Sequence, residues 1–251
     1  MDLTSVVPAD LPLDAVCRGS FDAKLDGVVR RLDLGDLAHI DVSRIGPIRS
    51  SASYKDRPNY AGYYWAATTG RHHWFESLYE KLALTALDRD PTIVALATQP
   101  LAIRWASPKQ VHVPDILVER ADRSMALIDV RPWSKVRDRD ADTFARTSAL
   151  CAALEIDYYL FSNLTETQAL NLRFLAGYRF ARWGCPRAIA ERLAARTGEV
   201  RPLEEWLPVM EGTHVPARGL LLAAIWHGAL DVTLTVRLEM DLDGTCAGRG
   251  W

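Results

Sequence analysis

Two aspartates and an arginine stand where the sequence pattern lets them act together. Asp115 follows a proline at the head of one apolar run, and Asp129 and Arg131 close another run fourteen positions further on. The turn-forming residues 122–124 between the runs predict neighbouring strands joined by a tight turn. Side chains repeat every second residue in a strand, so Asp129 and Arg131 share a face. The sequence therefore predicts two carboxylates and a cation at one edge of a sheet.

Such a group suits metal-assisted hydrolysis of a phosphodiester. Mg²⁺ binds one or two carboxylates together with waters and phosphate oxygens, and two such ions can hold the attacking and leaving oxygens. A neighbouring cation offsets the negative charge that develops on the phosphate. A third carboxylate, Glu76, belongs to the segment 75–88, in which apolar residues recur at helical spacing. We expect this helix to bring Glu76 to the sheet edge.

Simpler structural roles are open for each of these residues. An acidic pair such as Glu76 and Glu80 is common on the solvated face of a helix. An aspartate after a proline, as at Asp115, is a frequent turn residue. Asp129 with Arg131 also fits a structural ion pair inside a buried strand. The occurrence of all of them together favours a site.

The composition describes a globular chain with a locally basic stretch. It has 251 residues, of which 49% are apolar, and a formal net charge of −2, which argues against a histone-like protein. Between residues 44 and 71, basic residues alternate with aromatic ones, a pattern typical of surfaces that follow a nucleic-acid backbone. The predicted DNA-binding residues are Arg44, Arg49, Lys55, Arg57 and Arg71. The same stretch predicts a hairpin of YYWAAT and RHHWF, turning at Thr69 and Gly70.

Neither targeting nor membrane insertion is expected. The first residues, MDLTSVVPADLPLD, lack a basic region and contain two prolines, unlike a signal peptide. The longest apolar run, 219–226, is far shorter than the roughly 18 residues that a membrane span needs. Four scattered cysteines predict free thiols rather than disulfides or a zinc site. We expect a cytoplasmic protein without membrane contact.

The periodicity predicts an α/β fold with a mixed sheet flanked by helices. Helices are predicted over 75–88, 141–154 and 167–182, and a strand over 157–161. Four further strands are predicted in TIVALAT, QPLAIRWA, VHVPDILVE and SMALIDVRPW. After Gly184 come three short helical segments, PRAIAERLAARTG, PLEEWLPVME and PARGLLLAAIWHG, and then the alternating stretch ALDVTLTVRLEMDLDG. This last part predicts a small winged-helix-like module.

In these motifs the sequence resembles the PD-(D/E)xK nuclease superfamily and, within it, the TnsA-like endonuclease subunit of heteromeric transposases. The resemblance extends over residues 45–240 and rests on FESLYEKLAL, QPLAIRW, HVPDILVE, IDVRP and NLRFLAGYRF. It implies a restriction-endonuclease-like mixed sheet. The predicted division is an N-terminal extension over 1–45, a nuclease-like domain over 46–184 and a winged-helix-like domain over 185–251.

The resemblance also implies a role for each matching residue. Asp115 and Asp129 would bind Mg²⁺, for which Mn²⁺ substitutes, and the carbonyl group of Val130 would add a further ligand. Glu76 would support the metal from the helix, with Glu80 as its substitute. Gln99, which opens the QP strand, would position water or backbone near the site.

One position departs from the family. Arg131 stands where the family has its catalytic lysine, and a guanidinium, with a pKa above about 12, cannot act as a base. It can still stabilise a phosphate in the transition state as a fixed cation. Lys135, a few residues further on, is the alternative cation.

The function implied is that of a metal-dependent endonuclease subunit in a bacterial cut-and-paste transposition system. It would hydrolyse one strand of double-stranded DNA, at the 5′ side of each transposon end, and associate with the nucleoid when bound there. A DDE-type transposase subunit would act on the other strand, and an AAA+ regulator would dock on the C-terminal region. The alternatives are a restriction or repair nuclease that works alone, and a catalytically inactive nuclease fold that bridges DNA and proteins. Arg131 favours the inactive alternative.

Overall fold

The computed structural model of the protein describes residues 3–6, 8, 17–49, 60–106 and 110–251. The chain forms two compact units of mixed α/β structure. The first contains Met1–Leu84 and Thr92–Asn163, and the second contains Thr85–Pro91 and Leu164–Trp251. This division places the described residues of the predicted N-terminal extension in the first unit, and residues 164–184 in the second.

The first unit contains two main sheets and a separate hairpin. Within its described residues, the α-helices are α1 (Leu78–Asp88), whose last residues belong to the second unit, and α2 (Asp138–Ala153). Short 3₁₀ helices cover Leu34–His39, Val42–Arg44 and Trp133–Lys135. Its strands are β1 (Thr4–Ser5), β2 (Gly19–Leu25), β3 (Val28–Asp33), β4 (Ile45–Gly46), β5 (Gly62–Ala66), β6 (Arg71–Phe75), β7 (Ile93–Thr98), β8 (Leu101–Trp105), β9 (Gln110–His112), β10 (Ile116–Arg120), β11 (Met125–Val130) and β12 (Asp157–Phe161).

The sheet that carries the predicted site residues is mixed, with the order β1-β12-β11-β10-β7. β10 and β11 form the predicted antiparallel pair, with Ile116 opposite Ile128. β11 and β12 are parallel, and α2 provides the crossover between them. Five of the six residues of β11 are buried, as its nearly unbroken apolar sequence predicts.

The second sheet has the order β3-β2-β8-β9, with β4 also paired to β2. Its buried residues Phe21 and Trp105 belong to the same apolar core as Leu127 of β11 and Leu150 of α2. β5 and β6 form the predicted hairpin, and Gly70 in its turn has a φ of +61°. The shared core holds the ends of β9, β10 and β11 in a defined arrangement.

Several predicted elements of the first 182 residues have different limits in the structure. The helix predicted from residue 75 begins at Leu78, because the Ser77 hydroxyl accepts a hydrogen bond from Glu80 N and caps it there. The run VHVPDILVE is split into β9 and β10 around Pro114, which lacks the N–H needed for a sheet. The helix predicted over 167–182 ends at Leu175 and continues as two 3₁₀ turns.

The second unit combines three helices with a small antiparallel sheet. The helices are α3 (Glu166–Leu175), α4 (Arg187–Ala194) and α5 (Ala217–Trp226), and a 3₁₀ helix covers Leu203–Met210. The sheet has the order β13-β15-β14, formed by Val200–Pro202, Asp243–Cys246 and Leu230–Asp231. Trp206 and Trp226 are completely buried in its apolar core.

The alternating stretch over 229–244 forms strands only at its two ends. Between them, the Asn171 side chain donates hydrogen bonds to the carbonyls of Leu234 and Val236 and accepts one from Leu238 N. These hydrogen bonds use backbone groups that, in a β-strand, would bond to the neighbouring strand.

In the described parts of the chain, every helix is too short or too polar to cross a lipid bilayer.

Close packing in the second unit leads to a stability prediction. A Cβ added at Gly219 of α5 would overlap the ring of Trp183, whereas one added at Gly177 would meet open space. Overpacking of this kind costs about 1–3 kcal/mol. We expect Gly219→Ala to lower the free energy of unfolding by that amount and Gly177→Ala to leave it nearly unchanged, as measured by denaturant titration. Equal stability of the two variants would contradict this packing.

Candidate active site

A cavity of about 510 Å³ lies where β9, β10 and β11 meet α2. Ionisable side chains dominate its lining: Arg49, Glu80, His112, Asp115, Asp129, Arg131 and Asp140. The strand ends place the two aspartates of the predicted site in it, and the start of α2 adds Asp140. The cavity therefore brings together Asp115, Asp129 and Arg131, as the sequence predicts.

Asp115 is held from both sides. Its side-chain Oδ2 accepts a hydrogen bond of 2.7 Å from Val130 N, at the end of β11. Its backbone carbonyl accepts one of 2.8 Å from Gln99 N. Burial raises the pKa of Asp115 well above its ordinary value, and the negative charges of Asp129 and Glu80 raise it further. A backbone hydrogen bond thus positions the Asp115 carboxyl group, which has other acidic groups nearby.

Asp129 is only 3% exposed, so it needs partners inside the protein. His112 Nε2 lies 2.9 Å from its Oδ2, and the Tyr158 hydroxyl donates a hydrogen bond to the same oxygen. Burial together with the charge of Asp129 raises the pKa of the Tyr158 hydroxyl, which keeps it protonated as a donor. These contacts orient the Asp129 carboxylate.

His112 and Tyr158 are site residues that the sequence pattern did not single out. His112 stands three residues before Asp115 and Tyr158 lies in β12, which pairs with β11. The available signal was the need of a buried aspartate for a partner, which pointed to Arg131 instead. In the structure, Arg131 Nη2 lies 3.5 Å from Asp140 Oδ1.

The carboxylate contributed by α1 is Glu80 and not Glu76. Glu76 lies before α1 and pairs with Arg49, whose Nη2 is 3.1 Å from Glu76 Oε2. Glu80 lines the cavity and accepts hydrogen bonds from Glu76 N at 2.8 Å and from the Ser77 hydroxyl at 3.1 Å. Burial raises its pKa. The prediction that a helix carries Glu76 to the site is therefore wrong, and Glu80 takes the position.

Gln99 supports the site from the protein interior. It is completely buried and has a φ of +40°, an unusual conformation for a residue with a side chain. Its Nε2 lies 3.4 Å from Glu80 Oε2, while its backbone N–H binds the carbonyl of Asp115. Its carbonyl accepts a hydrogen bond of 2.9 Å from Ile48 N. Gln99 thus links both carboxylates to the segment that carries Arg49.

Lys135 is not among the residues that line the cavity. It ends an exposed 3₁₀ turn after β11. Arg131 remains the cation of this strand end that faces the cavity.

The residues predicted to bind DNA are largely engaged within the first unit. Arg44 pairs with Asp26, Arg49 pairs with Glu76, and Arg71 Nη1 donates a hydrogen bond of 2.7 Å to the carbonyl of Ser43. Lys55 and Arg57 lie outside the described residues. Carboxylates therefore offset the charges of Arg44 and Arg49.

The donor set of the cavity fits a hard divalent cation. Within the described residues, no three His, Cys, Asp or Glu side chains converge as a preformed metal cluster. Burial nevertheless raises the pKa of Asp115 and the negative charge of Asp129 raises it further, and a bound cation would relieve that repulsion. Mg²⁺ keeps several waters and needs only one or two protein carboxylates. Asp115 and Asp129 meet that requirement, with Val130 also lining the cavity.

The raised pKa of Asp115 leads to a prediction for stability against pH. Above this pKa the folded protein carries a charge that it disfavours, and below the ordinary value of 3.8 the group is neutral in both states. The destabilisation therefore grows as the pH rises from 3.8 towards the raised pKa, is present at neutral pH, and disappears in acid. We expect Asp115→Asn to raise the thermal unfolding midpoint at pH 7 in EDTA, and the gain to shrink as the pH falls.

The matched control is Glu155→Gln, which removes one exposed carboxylate of the same unit. We expect no comparable gain from it. A loss of stability in Asp115→Asn at pH 7 would contradict the electrostatic description of the site.

Comparison of the sequence with models of known protein families and with curated proteins gives no match.

Proposed function

We propose that this chain is a metal-dependent endodeoxyribonuclease that acts at the cavity of the first unit. The observation that supports this proposal most is the presence of Asp115, Asp129 and Glu80 together in the lining of one cavity. The described residues that line the cavity offer neighbouring carboxylate oxygens and include neither a thiol nor a pair of histidines. Such an oxygen-donor set suits Mg²⁺ or Mn²⁺. The reaction class that fits is hydrolysis of a phosphodiester.

In this proposal, the ionisable residues of the cavity have different roles. Asp115 and Asp129 hold the ion, and Val130 N–H keeps the Asp115 side chain directed by its hydrogen bond. When bound, the ion polarises the phosphate and lowers the pKa of a water molecule. Arg131 offsets negative charge on the phosphate, and Asp140 holds its guanidinium at the cavity. Glu80 accepts a hydrogen bond from Gln99 and orients water from the side of α1.

Fold features support the finer assignment of a restriction-endonuclease-like first unit. Its sheet is mixed, its metal-binding carboxylates sit at the ends of an antiparallel strand pair, and a helical crossover follows. For the second unit, three helices with a three-stranded antiparallel sheet support a winged-helix-like assignment. Both assignments agree with the motif resemblance.

We further propose that cleavage serves cut-and-paste transposition in a bacterium. The chain would cut the 5′ side of each transposon end, beside a DDE-type transposase subunit and under an AAA+ regulator. This context is supported by the resemblance to TnsA-like subunits. Sequence-specific cleavage by the purified chain alone would favour a restriction or repair nuclease instead.

The nuclease proposal predicts loss of cleavage when a metal ligand is replaced. We expect Asp115→Asn and Asp129→Asn to reduce strand cleavage by more than about 100-fold, because losing even an outer contact of a metal site costs 10–100-fold. The assay uses end-labelled transposon-end DNA, the cognate DDE-type subunit and Mg²⁺, with Glu155→Gln as the control. DNA binding should persist in both variants. Undiminished cleavage by either one would refute the site.

An inactive DNA-bridging protein is the second candidate function, and one observation favours it. Arg131 replaces the family's lysine and lies beside Asp140, so it provides charge but no base. If the site is active, Arg131→Lys keeps the cation and should retain or increase cleavage in the same assay.

Loss of all cleavage in Arg131→Lys would show that guanidinium geometry is required. Absence of cleavage in the wild type and in Arg131→Lys, with metal and DNA both bound, would establish the bridging function instead.

A further inference from the structure

The second unit keeps its positive and negative charges in separate parts of the chain. Between Glu166 and Glu191 it has four arginines and no acidic residue. Residues 199–243 contain eight acidic residues and only three arginines. The four arginines of the basic segment are Arg173, Arg179, Arg182 and Arg187. A unit with balanced total charge therefore has one strongly basic segment.

Aromatic rings surround the arginines of this segment and form a continuous cluster. The ring centroids of Phe174 and Tyr178 are 5.8 Å apart, and those of Tyr178 and Trp183 are 5.3 Å apart. The guanidinium of Arg182 lies 5.4 Å from the Trp183 ring, and that of Arg179 lies 4.2 Å from the Phe180 ring. We call this the arginine–aromatic surface, formed by Arg173, Phe174, Tyr178, Arg179, Arg182 and Trp183.

The charges of Arg173 and Arg182 are not offset by carboxylates. Both side chains are exposed, and in the described part of the chain neither one forms an ion pair. Arg187 differs, because its Nε lies 2.8 Å from Glu191 Oε1. Phe174, next to Arg173, is 52% exposed. Exposed arginines and an exposed ring thus lie in one short segment of the second unit.

We propose that the arginine–aromatic surface binds the phosphate backbone of DNA. The guanidinium of Arg182, beside the Trp183 ring, presents a planar group of donors that matches phosphate oxygens, while Arg179 also donates a hydrogen bond to the carbonyl of Ala176. Duplex DNA presents a negative charge about every 1.7 Å along its axis, so it engages several such arginines at once.

DNA explains this surface better than an acidic protein segment does. The arginines are spread over ten positions, 173–182, and the rings lie between them. A repeating polyanion can contact all of them. This inference is independent of the nuclease proposal, because no carboxylate of the catalytic cavity takes part and binding needs no metal.

The test is a DNA-binding titration of the full chain in EDTA. Fluorescence anisotropy of a labelled duplex of arbitrary sequence gives the affinity at several salt concentrations. We expect the double variant Arg173→Gln/Arg182→Gln to bind at least about tenfold more weakly at low salt. The slope of log K against log salt should fall by about 1.8, which is 0.9 for each lost phosphate contact.

The control is Arg237→Gln, an exposed arginine of the same unit that lies 3.8 Å from Glu239. It should change neither affinity nor slope. A double variant with unchanged affinity and slope would overturn the proposal. Competition by polyglutamate as effective as that by DNA would overturn it as well, and would assign the surface to an acidic protein. Thermal unfolding of each variant confirms that the fold is intact, since the side chains replaced are exposed.

Discussion

Asp115 and Asp129 place two carboxyl groups in the same cavity, and contacts from several elements of the first unit hold these groups in position. The antiparallel pairing of β10 and β11 sets their separation, and Val130 N–H fixes one carboxyl group. His112 and Tyr158 hold the other. Burial and the charge of Asp129 both raise the pKa of Asp115. In the proposed function, a divalent cation bound between the two carboxylates would offset this repulsion.

The parts predictable from the sequence are those decided by local pattern. The two apolar runs and the turn at residues 122–124 predicted the β10–β11 hairpin, and with it the proximity of Asp115 and Asp129. YYWAAT and RHHWF predicted the β5–β6 hairpin. In each case the partner strands are neighbours in the sequence, so their register depends on the turn and on the period of two.

The parts that escaped prediction depend on contacts between distant segments or on a single cap. Ser77 caps α1 so that the helix begins at Leu78, which leaves Glu76 before the helix and selects Glu80, the alternative that the sequence offered, as the carboxylate in the cavity. The partnership of Asp129 with Tyr158 requires β12 to pair with β11 across a long crossover. Asn171 similarly prevents a strand by contacts more than sixty positions away. No local periodicity records such contacts.

The net charge of the chain does not describe the charge of its individual regions. The net value of −2 hides a carboxylate-rich cavity in one unit and an acid-free arginine segment in the other. The basic stretch most visible in the sequence is partly neutralised, because Arg44 and Arg49 pair with carboxylates.

We propose that Asp115 and Asp129 share one metal ion. A crystal soaked in Mn²⁺ and measured at an anomalous wavelength tests it most directly. The account predicts a peak about 2.1 Å from carboxylate oxygens of both residues. A peak elsewhere in the cavity, or none at millimolar Mn²⁺, would contradict it.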